Sequence, residues 1–179
     1  MKLDRGRAAL AVIDVQEGFR PAVLDFERVA GNVGVLVEGA RILGLPVIVT
    51  EQYPKGLGAT VPEVADHLEG IEPIEKVCFS AFDADAFPLA LGDDHDQILL
   101  CGIETHVCVN QTAEDLLATG REVHVVQDAV SSRTAENRDL GLHKMERSGA
   151  VVTSVETALF ELLREAGTPE FKQVQALVK

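Results

Sequence analysis

The sequence predicts an α/β domain in three layers, with six parallel strands in one sheet and helices on both faces. Three observations carry that expectation. Short, almost uninterrupted apolar runs such as AALAVIDV (8–15) read as strands buried on both faces. They alternate with longer stretches whose apolar residues recur at helical spacing. Glycine and proline mark the junctions, as in GLP at 44–46.

Taken in order, the run 8–15 is the first strand, with Asp14 near its end. From Phe26 to Leu43, Val29, Val33, Leu36, Val37, Ala40 and Leu43 share one helical face, and PVIVT (46–50) is the second strand. EQYPKGLGATVPEV (51–64) is too rich in proline and glycine for regular structure and too long for a simple connector, and such loops tend to carry function. A short strand at 73–77, a helix at 85–91 and the strand QILLCG (97–102) follow. Next come a helix over 106–118, the strand REVHVVQ (121–127), a helix over 135–148 and the strand AVVTS (150–154). The tail from Val155 reads as one or two helices broken near Gly167 to Pro169. No repeat or linker interrupts this order, so a single domain over 1–179 is expected.

Composition narrows the function classes. A chain of 179 residues with 46% hydrophobic content closes one sizeable core. Its formal charge of -13, with no basic cluster, argues against nucleic acid and anionic membrane surfaces, leaving small molecules or copies of itself as partners. No apolar run approaches the roughly 18 residues of a membrane span, and MKLDRGRAALAVIDV lacks the order of a signal peptide. Cysteines at 78, 101 and 108 without CxxC or metal-ligand spacing imply free thiols in a reducing compartment, the cytoplasm. With seven Phe, one Tyr and no Trp, a pocket has few rings to offer, which suits a small substrate.

In open parallel sheets, ligands bind beyond the carboxyl ends of the strands, so candidate residues should stand where apolar runs end. Asp14 does, and is either a turn cap or an acid in partly desolvated surroundings. Lys76 does as well, between IEPIE and VCFSAF; it is either a surface lysine or a cation held inward by an anion. Cys108 falls in the first turn of the helix after QILLCG, where free N–H groups and the helix dipole favour a thiolate and can receive developing negative charge. Cys101 and Cys78 read as core. The histidines at 67, 95, 106, 124 and 143 share no edge, and His106, two residues before Cys108, points away from the thiol. Asp14, Lys76 and Cys108 together make a nucleophile, a proton carrier and a cation.

Those residues lie in three ordered motifs: AVIDVQEGF, IEKVCFSAF and CGIETHVCVNQTAEDLLATGREVHVVQDAVSSR. In these the chain resembles the isochorismatase-like cysteine hydrolase superfamily over most of its length, and among its members the isochorismatase domain-containing proteins. The resemblance implies a Rossmann-like sandwich with strand order 3-2-1-4-5-6. It implies Asp14 as general base and acid, Lys76 as the cation ordering it, and Cys108 as nucleophile. It also implies a cis peptide between Ile103 and Glu104, with the N–H groups of Glu104 and Cys108 as oxyanion hole, and a homo-oligomer, a dimer or larger. The reaction implied is hydrolysis of a C–N amide or ureido bond through a thioester, without cofactor; the alternative is a redox-responsive or interaction module that keeps the fold. Phe19, Tyr53 and Phe82 are candidate pocket walls, with Gln16 and Gln52 as polar contacts; core packing and solvated loop are the competing readings. Metal-dependent nicotinamidases of this superfamily carry paired histidines after the second strand, where this chain reads EQYPKGLG, so no metal is expected.

Overall fold

The computed structural model describes residues 2–179. Strand β1 (Ala8–Ile13) is buried along its whole length, as a central strand covered on both faces must be. Helix α1 (Phe26–Leu43) has the bounds its periodicity predicts and stops at Gly44, whose φ of 72° is the left-handed cap that ends many helices. After β2 (Val47–Gln52), the loop expected to be irregular contains two one-turn helices, α2 (Pro54–Leu57) and α3 (Pro62–Ala65). Each begins on a proline, whose fixed φ suits the first helical position and whose missing N–H is not needed there.

Strand β3 (Ile74–Lys76), helix α4 (Ala86–Leu91) and strand β4 (Gln97–Ile103) follow. The chain then makes a π-helical turn over Thr105–Val109 before α5 (Asn110–Ala118) begins. Strand β5 (Glu122–Ser131) runs four residues past its expected end at Gln127, because an irregularity opposite Leu100 to Gly102 lets it rejoin β4 through Val130 and Ser131. Helix α6 (Ala135–Arg147), strand β6 (Val151–Thr153), helix α7 (Val155–Leu163) and helix α8 (Pro169–Leu177) complete the chain. Thr134, Ser154 and Thr168 cap α6, α7 and α8 through their hydroxyls.

The sheet has the order β3-β2-β1-β4-β5-β6, and every pairing is parallel. Successive residues of β1 face opposite layers. Leu10 and Val12 join the core beneath α1, α7 and α8, while Ala9, Ala11 and Ile13 join Phe87, Ala113 and Met145 from α4, α5 and α6. The order reverses direction between β1 and β4, so a crevice opens at their carboxyl ends. Gly102 makes that junction close: at φ 118°, a Cβ there would collide with the carbonyl of Ile13 in the neighbouring strand.

Candidate active site at the switch point

Asp14 is the first residue beyond β1 and adopts the left-handed conformation, φ 52°, which Asp tolerates better than most side chains. That twist turns its carboxyl into the crevice. Thr50 Oγ1 donates to Oδ1 at 2.7 Å, and Lys76 Nζ donates to Oδ2 at 2.7 Å. Both members of the ion pair have side chains sealed from solvent. Lys76 Nζ also reaches Gln52 Oε1 at 2.7 Å and the carbonyls of Cys78 and Phe79, each at 3.1 Å, so its three protons are shared among four acceptors. This lysine is the cation held inward by an anion.

Cys108 lies in the π-helical turn, and its thiol interacts with both Asp14 and Lys76. Burial raises the Asp14 pKa, against the lowering effects of Lys76, Thr50 and Cys108. Burial, seconded by the Asp14 charge, pushes the Cys108 thiol up to about 12, and Lys76 offsets this only in part. The expectation of a thiolate stabilised at a helix start is therefore corrected. Cys108 does stand in the first turn of the helical segment that runs from Thr105 unbroken into α5, but it packs with Ala81, Val109 and Ala113 in the apolar layer, where desolvation raises its pKa. The resting group is a thiol, and Asp14 and Lys76 are the charged groups that act on it.

The turn that carries Cys108 is fixed from several sides. The Ile103–Glu104 peptide is cis. The Glu104 carbonyl accepts from the N–H groups of Val107 and Val109 at 3.0 and 3.3 Å. Thr112 Oγ1 donates to the Cys108 carbonyl at 2.7 Å and accepts from the N–H of Ala81 at 2.9 Å, which ties the thiol segment to the segment after Lys76. Glu104 Oε2 accepts from the backbone N–H and Nε of Arg133, at 3.0 and 3.1 Å. His106 Nδ1 lies 2.9 Å from Ser132 Oγ, turned to the β5 side.

Cys108 opens onto a cavity of about 300 Å³ lined by Phe19, Gln52, Tyr53, Leu57, Phe79, Glu104 and Val107. Two of the candidate pocket residues lie elsewhere. Gln16 is fully buried and its amide is consumed by backbone: Nε2 donates to the carbonyls of Gln52 and Gly58 at 3.1 and 2.7 Å, and Oε1 accepts from the Gln52 N–H at 2.7 Å. It pins the 51–64 loop instead of meeting a ligand. Phe82, in a short 3-10 turn at 81–83, packs against the apolar layer beneath α4 to α6, and Phe79 takes the place at the cavity. Phe79 and Val107 were within reach of sequence reasoning, since one follows Lys76 by three residues and the other precedes Cys108 directly. Leu57 carries no such signal.

A larger cleft of about 590 Å³ runs along β3 and includes Cys78, which is half-buried and not core, because the three-residue edge strand leaves one side open. That cleft touches neither Asp14 nor Cys108, so its size does not make it the reacting centre. Among the described residues, no group of three His, Cys, Asp or Glu side chains is arranged to hold a metal ion, and no helix is long and apolar enough to cross a membrane.

Fold and crevice together define the class: a doubly wound α/β protein with an acid, an ammonium and a thiol converging at its switch point. Within it, the chain belongs to the isochorismatase family, whose isochorismatase domain model matches residues 8–157. It is 42% identical over 170 residues to isochorismatase domain-containing protein 2A of Mus musculus, across 95% of this chain and 82% of that one. A solved structure described as a MAR1 ribonuclease from Caenorhabditis elegans superposes with a TM-score of 0.95 at 40% identity, covering 99% and 92% of the two chains. YcaC from Pseudomonas aeruginosa, solved with hexane-2,5-diol and covalent acrylamide, gives a TM-score of 0.91 at 28% identity over 98% and 91%.

Proposed function

We propose that this chain is a cysteine-dependent hydrolase that cleaves a C–N amide or ureido bond of a small molecule through a thioester. The observation that carries this reading is a single one: the sealed Asp14–Lys76 pair lies close enough to shift the Cys108 thiol, which itself lines a small cavity. Asp14 removes the Cys108 proton and the thiolate attacks the carbonyl carbon, forming the S–C bond. The N–H groups of Glu104 and Cys108 receive the oxyanion. The C–N bond then breaks, and the amine leaves with the proton that Asp14 returns. Water, deprotonated by Asp14, cleaves the thioester to a carboxylic acid and restores the thiol. A base whose pKa is raised by burial suits both halves of this exchange. Lys76 keeps the carboxyl oriented while its charge changes. The side chains present supply every role, so no cofactor is invoked.

The covalent acrylamide in the Pseudomonas aeruginosa relative supports a reactive nucleophile in this fold, since acrylamide is an electrophile that captures thiols. The alternative, a redox-responsive or interaction module, is less well supported: redox-sensing thiols are accessible and acidic, whereas Cys108 is 5% exposed and pushed up to about 12. RNA cleavage, the activity named for the Caenorhabditis elegans relative, fits poorly with a net charge of -13. Exposed apolar Val77, Phe79 and Leu89 at the β3 side support a homo-oligomer, and three free thiols support a reducing, cytoplasmic setting.

The test is amine release from a panel of small amides and ureas, with a single-stranded RNA arm, alongside mass spectrometric trapping of an acyl adduct on Cys108. Turnover abolished by Cys108→Ala and by Asp14→Asn is the expected outcome. Absence of both turnover and adduct across the panel rejects the hydrolase reading, and RNA cleavage that survives Cys108→Ala assigns the activity elsewhere.

A further inference from the structure

Glu104 is a buried acid that the mechanism above uses only through its backbone. Its side chain is 9% exposed, it lines the cavity beside Cys108, and only Oε2 is engaged, by Arg133. Oε1 accepts no hydrogen bond from the described residues. The other polar groups of the wall are already committed. Gln52 gives Oε1 to Lys76 and donates Nε2 to the Val77 carbonyl at 2.9 Å, and Lys76 is shared among four acceptors. Apart from the Tyr53 hydroxyl, the remaining side-chain lining is apolar: Phe19, Leu57, Phe79 and Val107. The Arg133 side chain is 60% exposed, so solvent screens its charge, whereas the Glu104 side chain is only 9% exposed.

We propose that Glu104 determines specificity in this cavity, selecting substrates that carry an ammonium or N–H donor close to the scissile carbonyl and rejecting those that carry a carboxylate there. A cation or donor completes the free valence of Oε1. An anion meets a like charge in a low-dielectric wall with no free cation to receive it. The substrate class is thus an amide of an amino-substituted acid, or a neutral urea. This deepens the amidohydrolase reading and rests on it for the reaction, though not for the charge selection.

Charge selection is measured without turnover, by the rates at which Cys108 is alkylated by 2-bromoethylammonium, iodoacetamide and iodoacetate. Each reagent forms an S–C bond and loses halide, the thiol proton passing to Asp14 and solvent. Peptide-resolved mass spectrometry in about 0.5 M salt suppresses the long-range field of the acidic chain. Half-buried Cys78, outside the cavity, serves as reference in the same sample and cancels the intrinsic reactivities. The cation-to-anion rate ratio at Cys108 should exceed that at Cys78 by about tenfold or more, and Glu104→Gln should bring it to within about threefold of the reference. Arg133→Gln, which unpairs the carboxylate, should raise the ratio and gives a second readout if Glu104→Gln does not fold. Equal ratios at the two cysteines, or a preference unchanged in the folded variants, overturn the proposal. Selective alkylation with no amide turned over upholds it and rejects the hydrolase reading instead.

Discussion

Two ion pairs of the same length stand at opposite ends of this sheet. At the amino ends of β1 and β4, Arg7 and Asp96 meet at 2.7 Å with side chains 44% and 51% exposed. At the carboxyl ends, Lys76 and Asp14 meet at 2.7 Å with both side chains sealed. Their protonation chemistry runs in opposite directions. Arg7 holds the Asp96 carboxyl below its usual range, chiefly by hydrogen bonding, whereas burial lifts Asp14 despite the lysine. Distance is therefore a poor guide to what a charge pair does. Water screens the first pair, so its closeness is of little consequence, and the exclusion of water from the second lifts the carboxyl that the proposed mechanism uses as base.

The largest effect should come from disturbing the backbone on which the sealed pair depends. Gly102→Ala forces a Cβ against the Ile13 carbonyl at φ 118°, and chemical denaturation should show a loss above about 4 kcal/mol or no folded protein at all. Next is Lys76→Met, which leaves the sealed Asp14 carboxyl without its cation, only Thr50 still donating to it, and should cost about 3–5 kcal/mol at neutral pH. Without its cation the carboxyl is lifted further. A group with a raised folded-state pKa is stabilising while protonated, so this variant should regain stability as pH falls, and Asp14→Asn added to it should recover much of the loss. If Lys76→Met is tolerated at neutral pH, the contrast between the two pairs fails.

A smaller effect is expected from the thiol. Cys108 titrates near 12 when folded against 9.0 as its ordinary value, so its contribution is intact below pH 9 and is lost as pH rises from 9 toward 12. Cys101 is lifted by burial in the same direction. Cys108→Ser should therefore remove one proton from the alkaline stability slope, about 1.4 kcal/mol for each pH unit in that window. An unchanged slope would mean that the thiol is not buried as described. The smallest effect belongs to the exposed pair: Arg7→Gln should barely move the thermal midpoint, and what shift it causes should fade with added salt.

What was legible in the chain followed from local pattern. Helix α1 is recovered to the residue because its spacing and Gly44 are both local signals. The extra length of β5 was not, because an irregularity that skips residues beside β4 interrupts the apolar run. The THVCV segment has the apolar content of any helix start, and nothing in it separates a π-helical turn from an α-helix. Phe79 and Phe82 stand three residues apart in CFSAF, yet one faces the cavity and the other the core, because Phe82 lies within the 3-10 turn that starts at Ala81 and Phe79 lies before it. Gln16 has the look of a free amide until the loop folds over it and takes all of its hydrogen bonds.

The sequence by itself determined the doubly wound sheet, the strand ends at which Asp14, Lys76 and Cys108 stand, and hence the kinds of group that meet at the crevice. Only the tertiary structure decided their charge states. A pKa depends on how much water each group loses and which neighbours replace it, and here those neighbours come from β1, β2, β3 and the turn after β4, from Asp14 to Cys108 along the chain. Residue order can bring such groups to one edge of a sheet, but desolvation exists only once the layers have closed over them.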